Sequence, residues 1–154
     1  MNFEEIRRQA IAEWQALEKS DKPRILIGSA TCGRAAGAGP VLEEIKKSLA
    51  EHKLDAVITQ VGCIGLCYAE PLVDIIKPNR PRICYSNVTP EIIPQLIEDY
   101  IINDNPRPDL ALGTTGDGTI PGIPQLFELP VLKPQVRIAL RNCGLTDPEN
   151  INHY

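Results

Sequence analysis

Apolar and polar positions along the chain change period several times, and each change marks an element. Phe3, Ile6, Ala10, Trp14 and Leu17 recur at helical spacing, so residues 3 to 19 read as an amphipathic helix that Ser20, Asp21 and Pro23 end. "RILIGS", 24 to 29, is short and apolar enough for a buried strand. "ATCGRAAGAGP" reads as a small-residue loop opening a helix, with Pro40 in the first turn where its missing N–H costs little. Val41, Leu42, Ile45 and Leu49 then form one apolar face, with Glu43, Glu44, Lys46 and Lys47 outward.

"LDAVITQVG" is predicted as a second strand, and "PLVDIIKP" and "PRICYSNV" as two more, joined by a "PNRP" turn. A helix follows Thr89, carrying Ile92, Ile93, Leu96, Ile97 and Tyr100; Pro94 sets its regular part to begin there rather than at Pro90. Seven of the 14 prolines lie between Pro94 and Pro134, so residues 103 to 134 are expected to be mostly loop. "GTTGDGTIPG" within that stretch fits no phosphate-binding motif and reads as surface loop. "QVRIALRNCG" is predicted as a last short strand, and "TDPENINHY" as a helix start, Thr146 or Asp147 capping and Pro148 in the first turn. A chain ending inside a nascent helix looks cut short. There is no internal repeat.

This α-β-α-β-β-β-α order places the chain in the α/β class. Two parallel strands joined by a helix, then a hairpin and a closing helix, describe a thioredoxin-like sandwich: a mixed β-sheet flanked by helices. An N-terminal helix precedes it, residues 1–22, and a Pro/Gly-rich C-terminal extension, 103–154, follows the 23–102 unit. At 154 residues one domain with a proper core is expected.

The formal charge of −4 argues against a nucleic-acid surface. No apolar run approaches the roughly 20 residues that span a bilayer, and the charged N-terminus lacks the apolar core of a signal peptide, so the expected compartment is the cytoplasm. In a reducing compartment five cysteines, an odd number, are not a disulfide framework. They remain ligands, reactive thiols or small core residues.

Cys63 and Cys67 lie in "QVGCIGLCYAEP", directly after the second strand, with Gly62 and Gly65 freeing backbone N–H groups to point inward. Cys32 holds the matching place after the first strand. If those strands are neighbours, both loops emerge at one end of the sheet and three thiols converge. Iron–sulfur clusters need such thiolates, with N–H donors stabilising their negative charge. A Cys3His zinc site would need His52 or His153, both read as solvent-exposed. The C-x-x-C spacing of a thioredoxin-type dithiol is absent, and Arg34 offers Cys32 only modest activation.

"CGRAAGAGPVLEEI", "VGCIGLCYAEPLVDI", "YSNVTPEIIPQLIEDYII" and "RIALRNCGLTDPENINHY" together make the chain resemble a known family, the thioredoxin-like [2Fe–2S] ferredoxins of NADH-dehydrogenase modules. The resemblance is nearest to the form found at the N-terminus of the NAD(P)H-binding flavoprotein subunit of multimeric iron-only hydrogenases. It implies an electron-transfer role with a [2Fe–2S] cluster held by C-x4-C after the first strand and C-x3-C after the second. By position, Cys63 and Cys67 match the second pair and Cys32 the second member of the first pair. The first member falls on Ile27, which cannot bind iron. Cys84 or Cys143 is then a candidate fourth ligand, with Ser29, Thr31 or water as oxygen donors. The implied partners are a flavin- and NAD(P)H-binding domain or subunit and other iron–sulfur subunits, with no nucleic acid and no membrane insertion. The alternatives are a cluster-free docking or scaffold domain of the same complex, and a zinc-stabilised module. No complete active site is legible in this chain.

Overall fold

The computed structural model describes residues 2–153, and its sheet is built on the most apolar segment of the chain. Strand β1 (Arg24–Gly28) is buried at every position. It pairs in parallel with β2 (Val57–Val61), Gly28 opposite Val61, through a crossover containing α2 (Thr31–Ala36) and α3 (Ala38–Glu51). On its other side β1 pairs antiparallel with β3 (Val73–Ile76). β3 forms the expected hairpin with β4 (Arg82–Tyr85), reversing at Pro78 to Arg80 with Asn79 in the left-handed region. The order is β2-β1-β3-β4-β5, where β5 (Ala111–Thr115) adds antiparallel to β4.

Side chains alternate between the two faces as strand geometry requires. Ile25, Ile27, Val73, Ile75, Ile83 and Tyr85 pack on the side covered by α3 and α4 (Ile93–Leu96), with Val41, Ile45, Leu49, Leu96 and Tyr100. Pro94 sits in the first turn of α4, as expected, and the helix continues as a π-helical turn over Ile97–Ile102. On the opposite face Cys84 joins Ile64, Leu66, Leu72, Leu126 and Leu132 in a second, smaller cluster. Helix α1 (Phe3–Glu18) opens on a capping box, Asn2 and Glu5 each accepting from the other's backbone N–H at 2.9 Å. None of its residues is buried; Trp14 meets His153 edge-on at 5.8 Å. His153 is therefore half-buried rather than exposed, whereas His52 is exposed.

Three local expectations need correction. The loop expected over 103 to 134 contains β5. Its glycine is required by packing, because a Cβ on Gly113 would lie 2.8 Å from the Leu126 Cα. The small-residue stretch before Pro40 holds helix α2. It ends at Gly37 (φ 106), so α3 begins at Ala38, ahead of the proline. "QVRIALRNCG" is not a strand. It runs as successive turns, for example Cys143 N–H to the Leu140 carbonyl at 3.1 Å, leaving Val136 and Ile138 more than four-fifths exposed. On the outer side of β5, Gln125 forms an isolated bridge with Thr114. The final segment makes one 3-10 turn, Ile151–His153.

Two arginines fasten these turns, one to the sheet and one to the cysteine loop. Arg82, ion-paired with the buried Asp74, donates to the Gly144 carbonyl at 2.7 Å, and Arg137 donates to the Ile64 carbonyl at 2.9 Å. Among the described residues no helix is long and apolar enough to cross a membrane.

Candidate metal centre

Because β1 and β2 run in parallel side by side, the chain leaves both at the same end of the sheet. From β1 it enters α2 within three residues, placing Cys32 in the first turn of that helix. From β2 it passes Gly62 to Cys63, then turns through Gly65 (φ 92) into the short 3-10 helix that begins at Cys67. The sulfurs of Cys32, Cys63 and Cys67 all lie within 4.8 Å of one another. The Cys63 and Cys67 sulfurs are 3.7 Å apart, and the Gly65 N–H donates to the Cys63 sulfur at 3.2 Å.

Charge explains what this group needs. Burial, together with the neighbouring Cys32 and Cys67 thiols, pushes the Cys63 thiol up to about 12, although the Gly65 N–H works in the opposite direction. Three crowded thiols do not ionise together without a cation, and thiolate is the form that binds metal. Arg34 does not supply the charge. Its guanidinium donates to the Ser29 carbonyl at 2.9 Å. In metal-free protein at pH 8 a pKa near 12 leaves Cys63 about one part in ten thousand thiolate. Iodoacetamide should therefore modify the exposed Cys67 first and Cys63 far more slowly, with the Cys63 rate climbing steeply above pH 8. Peptide mapping of a timed reaction checks this order; faster labelling of Cys63 than of Cys67 would contradict it.

The other sequence candidates fall elsewhere. Cys84 is 1% exposed within the smaller apolar cluster beside Asp74, where burial drives its thiol well above the ordinary range. The Cys143 sulfur lies 3.9 Å from where a Gly62 Cβ would stand, near the loop but outside the three-sulfur group, on the wall of a cavity shared with Arg82 and Leu145. Ile27 is fully buried in the larger core. Ser29 is half-buried and Thr31 exposed.

Sequence reasoning passed over one residue at this site. Glu70, 6% exposed, lies behind the thiols. One carboxylate oxygen accepts the Leu72 N–H at 2.8 Å, and the other lies 3.8 Å from the Cys32 sulfur. Burial raises its pKa, against the Leu72 N–H and the Cys63 and Cys32 thiols, which lower it. The fold keeps a recess for it. A Cβ on Gly28 would stand 2.7 Å from one Glu70 oxygen. One on Gly33 would stand 2.1 Å from the Gly28 carbonyl oxygen and 3.2 Å from Glu70. The available signal was an acid set immediately before the apolar run "PLVDII".

Three soft thiol donors, a backbone N–H aimed at one of them and glycines at the turns make a donor set suited to iron–sulfur or zinc chemistry. No protein-family model matches the chain. It is 30% identical over 108 residues to the NADP-reducing hydrogenase subunit HndB of Solidesulfovibrio fructosivorans, an overlap covering 68% of this chain and 85% of that protein. Its fold is that of a thioredoxin-like [2Fe–2S] ferredoxin from Aquifex aeolicus. One structure of that ferredoxin superposes with a TM-score of 0.53 at 15% identity, over 66% of this chain and 99% of the other. A second gives 0.51 at 17% identity, over 61% and 99%.

Proposed function

The chain belongs to the family of the hydrogenase subunit HndB, and on that premise we propose that it is an electron-transfer unit of a multisubunit, NAD(P)H-linked oxidoreductase of hydrogenase type. Cys32, Cys63 and Cys67 hold the iron of a [2Fe–2S] cluster. The observation that carries this reading is the convergence of those three thiols from two loops at one end of a parallel strand pair. A cluster bound there supplies one-electron redox chemistry, between the two-electron steps of a flavin and the one-electron steps of other iron–sulfur centres.

The protein's own share is positioning and docking. The Gly65 N–H steadies negative charge on the Cys63 sulfur. Cys67 is exposed, and Tyr68 beside it is 71% exposed, so the cysteine loop presents an apolar ring next to a ligand thiol. That is the face on which a flavin- and NAD(P)H-binding domain or subunit docks. Residues 23–102 contain the site. Residues 103–154, which also lend β5 to the sheet, lead toward that partner. Thiols that carry iron suit the reducing cytoplasm.

The test is anaerobic purification with iron and sulfur supplied, followed by iron and acid-labile sulfide assays and low-temperature EPR after dithionite reduction. The expected protein is red-brown, with two irons and two sulfides per chain and a rhombic signal on reduction. Colourless protein without sulfide would refute the proposal. Zinc without sulfide would favour the second reading, a zinc-stabilised module, for which the same three-thiol grouping is suited.

A further inference from the structure

A cluster of two irons takes four protein ligands, and the chain brings three thiols to the site. We infer that the Glu70 carboxylate is the fourth ligand, beside Cys32, Cys63 and Cys67. This rests on the cluster reading above.

Glu70 adjoins the three-thiol group on the Cys32 side, outside the set whose ligand atoms all lie within 4.8 Å of one another. Cys63 and Cys67 are 3.7 Å apart, sulfur to sulfur, and Cys32 and Glu70 are 3.8 Å apart, sulfur to oxygen. A tetrahedral metal with bonds of about 2.3 Å to thiolate sulfur sets its ligands about 3.8 Å apart. The Cys63–Cys67 spacing matches that value, and a carboxylate oxygen, whose metal bond is shorter, would stand roughly 3.6 Å from the Cys32 sulfur on a shared metal, close to the distance seen. Among the described residues Glu70 is the one further acid, thiol or imidazole in hydrogen-bonding contact with any of the three thiols.

Glu70 is buried with the Leu72 N–H and the Cys32 thiol as its polar partners and with no cation beside it among the described residues. A carboxylate this deep normally faces Lys, Arg or His, because an unpaired buried charge is costly. Among the described residues none forms an ion pair with Glu70. The nearby Asp74 adds like charge, and Arg82 is committed to Asp74. One oxygen is fixed by the Leu72 N–H, which orients the group and leaves the other oxygen facing Cys32. Gly28 and Gly33, from the strand and helix that carry the Cys32 loop, leave the space it occupies. A bound iron ion would bring positive charge to this oxygen, and carboxylate oxygen is an ordinary ligand to iron.

The experiment compares the anaerobically reconstituted parent with Glu70→Gln and Glu70→Cys. Gln keeps the size of Glu and fills the recess, but its amide binds metal poorly; Cys restores an all-thiolate set. Mössbauer spectra of 57Fe-loaded parent should show two inequivalent iron sites, which become similar in E70C. The reduced E70C should also shift its EPR g-values. E70Q should lose iron to a chelator at least tenfold faster than the parent while its metal-free thermal midpoint stays within a few degrees. Two equivalent all-sulfur irons in the parent, or parent-like Mössbauer and EPR spectra in both variants, would overturn the assignment. A parent that binds no iron fails the underlying reading instead, and the two failures are told apart by the iron assay on the parent.

Discussion

Cys63→Ser is expected to abolish stable cluster binding, with iron and sulfide falling below a tenth of the parent value after gel filtration. Its sulfur stands at the centre of the group, 3.7 Å from Cys67 and within 4.8 Å of Cys32, and takes the Gly65 N–H. Serine keeps the size of the side chain but replaces a soft thiolate with a hydroxyl whose proton is far harder to remove. Cys63 is half-buried and belongs to neither apolar cluster, so the metal-free variant should melt within a few degrees of the metal-free parent. Cys84→Ser provides the opposite pattern. That thiol is enclosed among Leu66, Leu72 and Leu126 beside Asp74, whose carboxylate can accept from a hydroxyl there, so stability should change by no more than about 1 kcal/mol while iron content per folded chain is unchanged. Iron assays and thermal melts on the two variants decide the matter. Full iron in C63S, or iron loss in C84S without unfolding, would remove the three-thiol site from the argument.

That contrast also marks what the sequence could and could not reveal. The convergence of Cys32 with Cys63 and Cys67 was readable because it needs only two facts, a cysteine just after each of two apolar strands and a helix between them. If the two strands pair across that helix they run parallel, as they do, and both loops leave at one end. Helix α3 was readable from its 3.6-residue period, and the hairpin from Pro78 and Asn79 between two β-branched runs. Pairings between distant residues were not readable. Gly113 makes "ALGTT" look like a loop until Leu126 is seen against it. α2 lacks a side-chain cap at Ala30, so nothing local announces it. "QVRIALRNCG" has the composition of a strand, yet its backbone closes into turns on itself, with Arg137 tied to the Ile64 carbonyl. Glu70 gave only a weak local signal for the same reason. Its meaning lies in Gly28, Cys32 and Gly33, about 40 residues earlier in the chain, in β1 and the start of the crossover.

Gly33→Ala is expected to destabilise the protein by about 3 kcal/mol, against the ordinary trend for helices. Alanine normally improves a helix over glycine by about 1 kcal/mol, less near an end. Gly33 lies in the first turn of α2, so a few tenths of a kcal/mol in favour of alanine is the intrinsic part. Packing opposes it and wins. The new methyl would stand 2.1 Å from the Gly28 carbonyl oxygen, a backbone atom in a fully buried strand that has little room to yield. Overpacking of that kind costs about 1–3 kcal/mol or more. Relief comes only if α2 moves off β1, which carries Cys32 away from the other thiols and opens the Glu70 recess. The variant should therefore lose both several degrees of thermal midpoint and its iron. Gly39→Ala is the internal control. It lies in the first turn of α3, is exposed, and its Cβ would meet nothing within 4 Å, so only the propensity gain remains and the midpoint should hold or rise slightly. A Gly33→Ala protein as stable as Gly39→Ala, and equally able to bind iron, would mean that the close contact between α2 and β1 does not set the spacing of the thiols.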